Sequence, residues 1–327
     1  MSERTLGPDV LATMRCPTCG EGYEATASGV RCGRGHELAW QHDVLMAPID
    51  QLPEDARKTV EGFGYEWTAF PGILPEDEPF WERYSRDLDL GALGDAVAID
   101  VGCGKGRFSW FLAPAVRHLV AFDASDSAFV AARNLADRPN TTAVRADLHE
   151  APFADGAFDL VSCIGVLHYV PDPAKGFDEV VRLVAPGGTL LLSVYSRPEH
   201  AGVRKWALDA ATAVRRVTPR VPRPLLRALS APVGALLYAT FVLPGRLGER
   251  IGNRALASLP LQTYRGRPLR SLWLDTFNRL HAPFEHRFVR AEVDGWLAGA
   301  GLEVLHIRED AGWMVVARRP QPSPSEA

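Results

Sequence analysis

The chain has 327 residues, of which 46% are hydrophobic, and a formal net charge of −4 at pH 7. This length allows one large domain or two smaller ones, and the apolar content can fill a core, which excludes a chain that is disordered throughout. The first sixteen residues lack the apolar centre of a signal peptide. The apolar run at 231–245 contains Pro232, Gly234 and Pro244, and it is shorter than the roughly 20 residues that cross a bilayer. We therefore predict a cytoplasmic protein with no transmembrane segment.

Four residues of metal-ligating type lie close together near the start of the chain. Cys16, Cys19, Cys32 and His36 follow the spacing C-x2-C-x12-C-x3-H, with glycines beside each pair. Two short ligand pairs can close a tetrahedral site on zinc, and four protein ligands leave no open position for catalysis. A disulfide is disfavoured because nothing indicates an oxidising compartment, and unligated thiols are the other alternative. The pattern predicts a structural Zn²⁺ in a zinc-ribbon-like module over residues 1–47, with the metal supplying the folding energy of the module.

Aromatic residues dominate the segment that follows this module. The stretches "FGYEWTAF" and "PFWERYSRDL" are separated by prolines. We interpret residues 48–92 as short helices that form a linker and cap between the module and the main domain. Packing is the favoured role of these aromatics and ligand contact is the alternative, for which Tyr65 is the candidate.

Apolar runs alternate with helical patterns over residues 93–196. The stretch "AIDVGCGKGRF" at 98–108 indicates a buried strand, a glycine turn and the start of a helix. Four more strands are predicted in "HLVAFDAS", "TTAVRADLHEAPF", "FDLVSCIGVLHYV" and "VVRLVAPGGTLLLSVYS". This alternation predicts an α/β fold, a mostly parallel Rossmann-like sheet with helices on both faces. Ligands bind such sheets at the carboxyl ends of the strands, where all the candidate site residues lie.

The glycine turn of this stretch indicates a nucleoside ligand. The turn does not match the dinucleotide fingerprint, because an arginine occupies the third glycine position, and it lacks the G-K-[ST] of a Walker loop. Gly102, Gly104 and Gly106 let the backbone approach a ligand closely. Asp123, which lies 23 residues after Asp100, can accept hydrogen bonds from both ribose hydroxyls.

With these motifs in this order, residues 93–196 resemble the class I S-adenosylmethionine-dependent methyltransferases. A weaker match at 288–319 is similar to the last helix and the antiparallel edge strands of that family. The resemblance implies methyl transfer as the reaction and S-adenosylmethionine as the cofactor. It also implies the residues that line the methionine moiety, which are Asp100, Gly102, Gly104 and Gly106.

The same resemblance assigns the other parts of the cofactor. Asp123 would hold the ribose. Asp147 would accept from the adenine amino group, and Leu148 would give a backbone contact beside it. Ile164 would lie next to the sulfonium.

The reaction itself requires little of the protein. A methyl group on a positive sulfur is already a strong electrophile, so the enzyme must align a nucleophile at about 3 Å. A general base is needed only where the acceptor holds a proton at neutral pH. The candidates are His168 in "VLHYVPDP", together with His281, Glu285 and His286 in "HAPFEHRF". Neither the acceptor atom nor an oligomeric state follows from the residues.

A basic segment separates the fifth strand from the final helix. Residues 197–290 hold 17 Lys and Arg against 5 Asp and Glu, whereas the rest of the chain holds 19 against 35. We predict that residues 197–287 form a helical insert, interrupted at "TPRVPRPLL", "LPGRLG" and "YRGRPL", which serves as a substrate lid. Arg265, Arg267 and Arg270 are candidates to meet an anionic acceptor. The alternative is that the basic segment packs against acidic surface of the same chain. The core resumes at 288–319, and a disordered tail is predicted at 320–327.

Two classes of acceptor fit these features best, and a protein or lipid acceptor and a non-enzymatic binding module are the further alternatives. The first is a small molecule, such as a natural-product intermediate with an anionic or carrier-bound group. The second is RNA, because the zinc spacing is similar to that at the front of bacterial ribosomal RNA guanine-N1 methyltransferases and arginines suit phosphate contacts. The acidic balance of the whole chain, with a pI of about 6.2, and the motif "CIGVLHYVPDP" favour the small molecule. Nucleic acid therefore stays the less favoured partner.

Overall fold

The computed structural model describes residues 6–49, 52–198, 212–215, 217–310 and 312–322. The chain divides into two compact units. The first unit comprises Met1–Glu199 and His286–Ala327, and the second comprises His200–Glu285.

The strands of the first unit form one sheet of eleven members. The strands are β1 Tyr23–Thr26, β2 Gly29–Cys32, β3 Glu37–Gln41, β4 Val44–Met46, β5 Val97–Val101, β6 His118–Asp123, β7 Thr141–Arg145, β8 Phe158–Ile164, β9 Val184–Val194, β10 Glu303–Glu309 and β11 Trp313–Arg318. Their spatial order is β1-β2-β3-β4-β7-β6-β5-β8-β9-β11-β10. All five residues of β5 are buried, as expected for a central strand with both faces covered.

The directions of the strands confirm the predicted fold class. The run from β7 through β6, β5 and β8 to β9 is parallel, and β11 pairs antiparallel with β9 and with β10. The first four strands form an antiparallel meander that joins this sheet, because β4 pairs in parallel with β7 and places Val44 beside Ala143. The zinc-ribbon-like module is thus a continuation of the main sheet.

The core follows from this continuity. One apolar cluster contains Val10, Met14 and Leu45 from the first fifty residues together with Ile99 and Val120 from the central strands. The module therefore shares a core with the main domain. Packing in this shared core contributes to the folding of the module, which corrects the expectation that the metal alone would supply that energy.

Helices cover the sheet of the first unit. They are α1 Pro8–Thr13, α2 Glu54–Ala69, α3 Glu78–Ser85, α4 Arg107–Leu112, α5 Ser127–Asn134 and α6 Pro173–Arg182, and the last helix of the chain, Arg290–Gly299, belongs to the same unit. The predicted linker contains one long helix, α2, and not only short ones. Proline at the first turn of α3 and α6 is compatible with a helix, because the N–H that proline lacks has no partner there.

The second unit is helical where it is described. Its helices are α7 Arg223–Leu237, α8 Leu243–Ile251, α9 Arg254–Ala257 and α10 Leu269–His281, so that Arg290–Gly299 is α11. A π-helical segment at Tyr238–Val242 joins α7 to α8. The result is a continuous helix of 29 residues, Arg223–Ile251, which we call the long helix. By length and composition alone, this is the one helix in the described ranges that is long and apolar enough to cross a membrane.

The apolar run at 231–245, which was expected to be too short to cross a bilayer, is part of the longer continuous helix Arg223–Ile251. Pro244 lies in the first turn after the π-helical segment, where its missing N–H costs little, and Pro232 lies inside α7 on an exposed position. Neither proline ends the helix. The expected break at "LPGRLG" is likewise helical.

Candidate active site

The sheet order places the candidate site at a change of direction. Strand β5 lies between β6 and β8, and the chain runs outward from β5 to one side through β6 and β7 and to the other side through β8 and β9. A crevice forms at the carboxyl ends of the strands at such a switch point. The glycine turn after β5, the acidic residue that ends β6 and the acidic residue after β7 all lie at this edge.

The glycine turn needs glycines for two physical reasons. Gly102, Gly104 and Gly106 have φ angles of 69°, 55° and 76°, in the left-handed region that favours glycine. A Cβ atom on Gly102 would lie 2.3 Å from a methyl carbon of Val166. The turn is held by the Phe122 carbonyl, which accepts from the N–H groups of Gly102 and Cys103 at 2.8 and 3.0 Å.

Asp100 lies behind the turn, at the end of β5. Its carboxylate is 2% exposed and accepts hydrogen bonds from the hydroxyls of Ser109 at 2.6 Å and Ser162 at 3.0 Å. Burial raises the pKa of this carboxyl to about 6, although both hydroxyls act in the opposite direction. These contacts favour a role in supporting the turn, and direct contact with the methionine moiety stays a prediction.

Asp123 connects the turn to the partly exposed edge of the sheet. One carboxylate oxygen accepts from the N–H of Gly104 at 2.9 Å, and the other accepts from the N–H and the hydroxyl of Ser125 at 2.8 and 2.6 Å. The side chain is half-buried, so it is fixed in orientation and still accessible. This is the arrangement that a ribose-binding carboxylate requires, since its orientation is set before the ligand arrives.

The next strand carries the candidates for the base of the cofactor. Asp147 follows β7 and accepts from the N–H of His149 at 3.3 Å, and its side chain is half-buried. Leu148 is buried beside it. A carboxylate and an apolar side chain at the strand next to Asp123 fit an adenosine, so the described residues fit S-adenosylmethionine.

Helix α2 lies over this edge. A Cβ atom on Gly64 would be 3.3 Å from the backbone nitrogen of Asp126, and Tyr65 follows Gly64 on the same helix, half-buried. Two residues further on, the indole nitrogen of Trp67 would lie 2.7 Å from a Cβ atom on Gly104. Trp67 is therefore the side chain that packs on the glycine turn, and contact between Tyr65 and the ligand stays a prediction.

A buried lysine in the turn was also missed. Lys105 is 2% exposed, and its ammonium donates to the carbonyl of Gly72 at 2.6 Å and lies 3.5 Å from the carboxylate of Asp77. The ring of Trp67 is 5.5 Å away. Burial lowers the pKa of Lys105, whereas Asp77 raises it. Lys105 thus connects the segment after α2 to the glycine turn. In the sequence, a lysine in a glycine-rich turn that lacks the rest of a Walker motif was a weak indication of this contact.

An aromatic cluster lies where β8 and β9 end. Ile164 is the last residue of β8 and is buried, and His168 follows it on a short turn, 1% exposed. The imidazole of His168 stacks on the ring of Tyr195, with centroids 3.7 Å apart and planes 21° apart. The phenol of Tyr169 lies 3.3 Å from that of Tyr195, and the guanidinium of Arg287 lies 4.9 Å from the same ring.

The three candidate histidines divide between the two units. The N–H of His286 donates to the carbonyl of His168 at 2.8 Å, so these two residues are neighbours in the first unit. Burial lowers the pKa of His286, although the Val170 carbonyl and Asp172 act in the opposite direction. His281 lies in the second unit at the end of α10, buried, with its ring 4.9 Å from that of Phe277.

The four candidate metal ligands come together as the spacing predicted. Their ligand atoms all lie within 4.8 Å of one another. The sulfurs of Cys19 and Cys32 are 3.7 Å apart, and Nδ1 of His36 is 3.4 Å from the sulfurs of Cys16 and Cys32. Around a tetrahedral zinc with bonds of about 2.0–2.3 Å, ligand atoms lie roughly 3.5–3.8 Å apart, so the geometry fits this ion. Burial opposes ionisation of Cys16, but hydrogen bonds from Tyr23 and the backbone lower its pKa to about 6.

The arginines chosen from the insert have roles within the second unit. Arg265 is 9% exposed and donates to the carboxylate of Glu249 at 2.6 Å and to the carbonyl of Leu259 at 2.9 Å. Arg267 is equally buried and lies over the ring of Tyr264. Of the three, Arg270 is exposed. Part of the basic charge therefore packs inside the unit.

The fold and the site together define a class I S-adenosylmethionine-dependent methyltransferase. Residues 99–192 match the methyltransferase domain family, and the chain belongs to that family. The chain is therefore an enzyme that transfers a methyl group from S-adenosylmethionine.

Named relatives are similar over part of the chain. A ubiquinone biosynthesis O-methyltransferase of Nitrosomonas europaea is 30% identical over 186 residues, which are 56% of this chain and 72% of that protein. A demethylmenaquinone methyltransferase of Clavibacter sepedonicus is 36% identical over 130 residues, 39% of this chain and 53% of that protein. The crystal structure of an S-adenosylmethionine-dependent methyltransferase from Mesorhizobium loti aligns over 76% of this chain and 100% of its own, with 19% identity and a TM-score of 0.43.

Proposed function

We propose that this methyltransferase acts on a small planar acceptor of the phenol, enol or quinol type. The observation that carries the proposal is the aromatic cluster beside Ile164, in which His168 stacks on Tyr195. Flat aromatic side chains bind planar rings by offset or edge contacts. The names of the two relatives, which refer to ubiquinone and demethylmenaquinone, support the same class of acceptor.

The charge beside the cluster suits an acceptor that becomes anionic. The guanidinium of Arg287 lies over the ring of Tyr195 and also donates to the carbonyl of Ser196 at 3.3 Å. A fixed cation near the reacting oxygen or carbon stabilises a phenolate or an enolate. We therefore expect the acceptor to carry an anionic group when it reacts. A natural-product intermediate is one member of this class.

His286 is the strongest candidate for the general base. Its burial lowers the pKa below the ordinary value of about 6.5, so the imidazole is neutral at pH 7. A neutral imidazole can take the proton of an acceptor hydroxyl as the oxygen gains the methyl group. His168 is buried within the cluster, where its ring stacks on Tyr195, and this suits a positioning role. The role of His281 in catalysis stays a prediction.

An RNA acceptor is the second candidate, and the zinc-ribbon-like module argues against it. Residues 1–47 hold 4 Lys and Arg against 6 Asp and Glu. Of those arginines, Arg31 pairs with Glu37 and Arg34 pairs with Glu21 at 3.1 Å. Phosphate binding requires an excess of basic groups directed outward, and this module does not carry one.

A competition between acceptors tests the proposal. We would incubate the full-length protein with methyl-labelled S-adenosylmethionine and either a demethylated quinol analogue, a catechol or total RNA. We expect label in the organic extract of the quinol or catechol reaction and none in RNA. Label in RNA, with no transfer to the phenolic compounds, would contradict the proposal and indicate an RNA methyltransferase.

Two histidine variants test the assignment of the base. With a phenolic acceptor, His286→Asn should lower kcat by about 10²–10⁴-fold, the usual contribution of a general base. His306→Asn is the matched control, because His306 is exposed on β10. The kcat of the unmodified protein should fall with acid only below about pH 6.5, since the pKa of His286 is lowered. An unchanged kcat in His286→Asn would remove this residue from catalysis.

Two further assignments are part of the proposal. The Cys3His cluster binds a structural Zn²⁺, for which the distances between its ligand atoms are the support. The cytoplasm is the proposed location, and residues 197–287 are proposed to cover the acceptor as a lid.

A further inference from the structure

The long helix exposes a continuous apolar stripe. Its members follow one another at intervals of three, four or seven residues, so they share one side of the helix. We call this set the exposed apolar face; it consists of Leu225, Leu229, Val233, Leu236, Leu243, Leu247 and Ile251, with exposures of 52%, 52%, 45%, 67%, 49%, 52% and 61%. Between Arg227 and Arg246 the helix carries no charged residue.

The opposite side of the long helix is the one that packs within the unit. The buried positions there include Ser230, Gly234, Gly245 and Gly248. A Cβ atom on Gly234 would lie 3.1 Å from the Cα of Trp273 on α10. A helix of a water-soluble protein buries its large apolar residues and exposes polar ones. The long helix buries Leu226 and Val242 together with small residues on its packed side, but it exposes the seven large apolar side chains of the exposed apolar face, which is the pattern of a helix whose outer side meets lipid.

The contacts on the packed side of the long helix indicate whether this helix would lie on a membrane or cross it. There the indole of Trp273 donates to the carbonyl of Arg227 and the hydroxyl of Ser230, both at 3.0 Å, and Arg246 donates to the carbonyl of Arg267 at 2.7 Å. Much of residues 252–268, which fold back along this side, is irregular backbone. Irregular backbone and arginines do not enter the hydrocarbon region. The long helix therefore suits the plane of the interface.

The charge around the stripe complements anionic lipid. Residues 220–285 hold ten arginines and three acidic residues. Each acid has a partner inside the unit: Glu249 lies 2.6 Å from Arg265, Glu285 lies 3.1 Å from Arg215, and Asp275 accepts from the hydroxyl of Tyr264. Arg220, Arg250, Arg254 and Arg270 are exposed. An apolar stripe with basic residues on its flanks is typical of interfacial helices.

A second copy of the chain fits the same face less well. Arginines lie at both ends of the exposed apolar face: Arg223 and Arg227 at one end, and Arg246 and Arg250 at the other. Two stripes packed together, parallel or antiparallel, would bring arginines against arginines. Such like-charge contacts oppose dimerisation, whereas anionic headgroups would neutralise both ends at once.

We propose that the exposed apolar face of the long helix lies in the headgroup and acyl boundary of an anionic bilayer, so that the enzyme is a peripheral membrane protein. This inference concerns the location of the enzyme and does not depend on the identity of the acceptor. It is compatible with a cytoplasmic protein that docks on the inner face of a membrane.

Vesicle sedimentation tests the proposal on the full-length protein. Vesicles of phosphatidylcholine alone are compared with vesicles that contain about one third phosphatidylglycerol, at physiological salt. We expect binding to the anionic vesicles, at least tenfold weaker binding to the neutral ones, and release in high salt, as surface charge contacts are screened. Binding that resists high salt and alkaline carbonate would indicate a spanning helix and overturn the in-plane placement.

Substitutions within the stripe make the test specific. The double variant Leu229→Glu and Leu236→Glu should lose vesicle binding by tenfold or more while its melting temperature and S-adenosylmethionine affinity stay unchanged. Val304→Glu is the matched control, because Val304 is a 40% exposed apolar residue on β10, outside the second unit. Vesicle binding that survives the double variant would overturn the proposal. So would a lipid-free dimer that dissociates in the double variant, combined with no vesicle binding by the unmodified protein.

Discussion

The two compact units place their large apolar side chains in opposite ways. Among the residues that the structure describes, eleven large apolar side chains are exposed, and ten of these lie between residues 214 and 269. Of these eleven described side chains, Val304 alone lies in the first unit, where all five residues of the central strand β5 are buried. The difference shows that apolar periodicity predicts a helix, but it does not predict whether the apolar side of that helix faces the protein core or the outside. Burial in the core accounts for the large apolar side chains of the first unit, and we propose that a lipid surface covers those of the long helix.

The largest expected effect comes from removing the metal from the first unit. Structural zinc in isolated finger peptides contributes about 10–16 kcal/mol of apparent binding energy. In this chain Met14 and Leu45 pack into the shared core without the metal, so part of the fold should survive. Cys19→Ser, or a strong chelator, should lower the melting temperature more than any single substitution below. Differential scanning calorimetry and elemental analysis measure both consequences.

The control for this prediction is a cysteine outside the cluster. Cys103→Ser should leave one zinc per chain, since Cys103 is buried beside the glycine turn and donates to the Gly104 carbonyl. Wild-type protein that is folded and active with less than a tenth of an equivalent of zinc would refute the metal assignment. The first unit would then be held together by packing alone.

The second prediction concerns the buried carboxyl in the first unit. Burial raises the pKa of Asp100 from 3.8 to about 6, so the folded state holds its proton more tightly than the unfolded state. This stabilisation is complete below about pH 4 and is lost as the pH rises through 6, by about 3 kcal/mol at 1.4 kcal/mol per pKa unit. Asp100→Asn should abolish this decline. Urea unfolding from pH 4 to pH 7 measures the difference between the variant and the wild type.

A flat difference over that pH range would contradict the burial of a charged Asp100. The matched control is Asp126→Asn, because Asp126 is exposed near the same edge of the sheet and pairs with Arg145 at 3.2 Å. Its pH profile should follow the wild type. A pH-dependent difference confined to Asp100→Asn would place the titrating carboxyl behind the glycine turn.

The third prediction concerns cofactor affinity. Asp123→Ala should weaken S-adenosylmethionine binding by about 1.5–3 kcal/mol, the range for hydrogen bonds to a charged group. Loss of its bond to the Gly104 N–H, at 2.9 Å, also loosens the turn. Isothermal titration calorimetry measures this, with Asp126→Ala as the control. Unchanged affinity in Asp123→Ala would remove the ribose assignment.

Several elements of the first unit could be predicted because they are local. The apolar run before Gly102 and the acid at the end of β6 define a strand, a turn and a strand end within a few residues of one another. The spacing of the four metal ligands likewise lies within 21 residues. Local chemistry therefore gave the fold class and the two candidate sites.

Features that depend on distant packing were not predicted. The pairing of β4 with β7 joins segments that are about a hundred residues apart, and no local pattern specifies that register. Burial of Lys105 depends on Asp77 and Gly72, which the linker brings to the turn. The hydrogen bonds from Ser109 and Ser162 to the Asp100 carboxylate also join distant segments, and no local pattern indicated them.

The smallest expected effect tests the opening comparison directly. Leu236 is 67% exposed on the long helix, and Leu160 in β8 is 0% exposed. Leu236→Ala should change the free energy of unfolding in water by no more than about 0.5 kcal/mol, as for other surface positions. Leu160→Ala should cost about 2–5 kcal/mol, because it leaves a cavity in the core. Urea unfolding of both variants measures these values. A cost above 2 kcal/mol for Leu236→Ala would mean that protein already covers this side chain in solution, and the contrast between the two units would fail there.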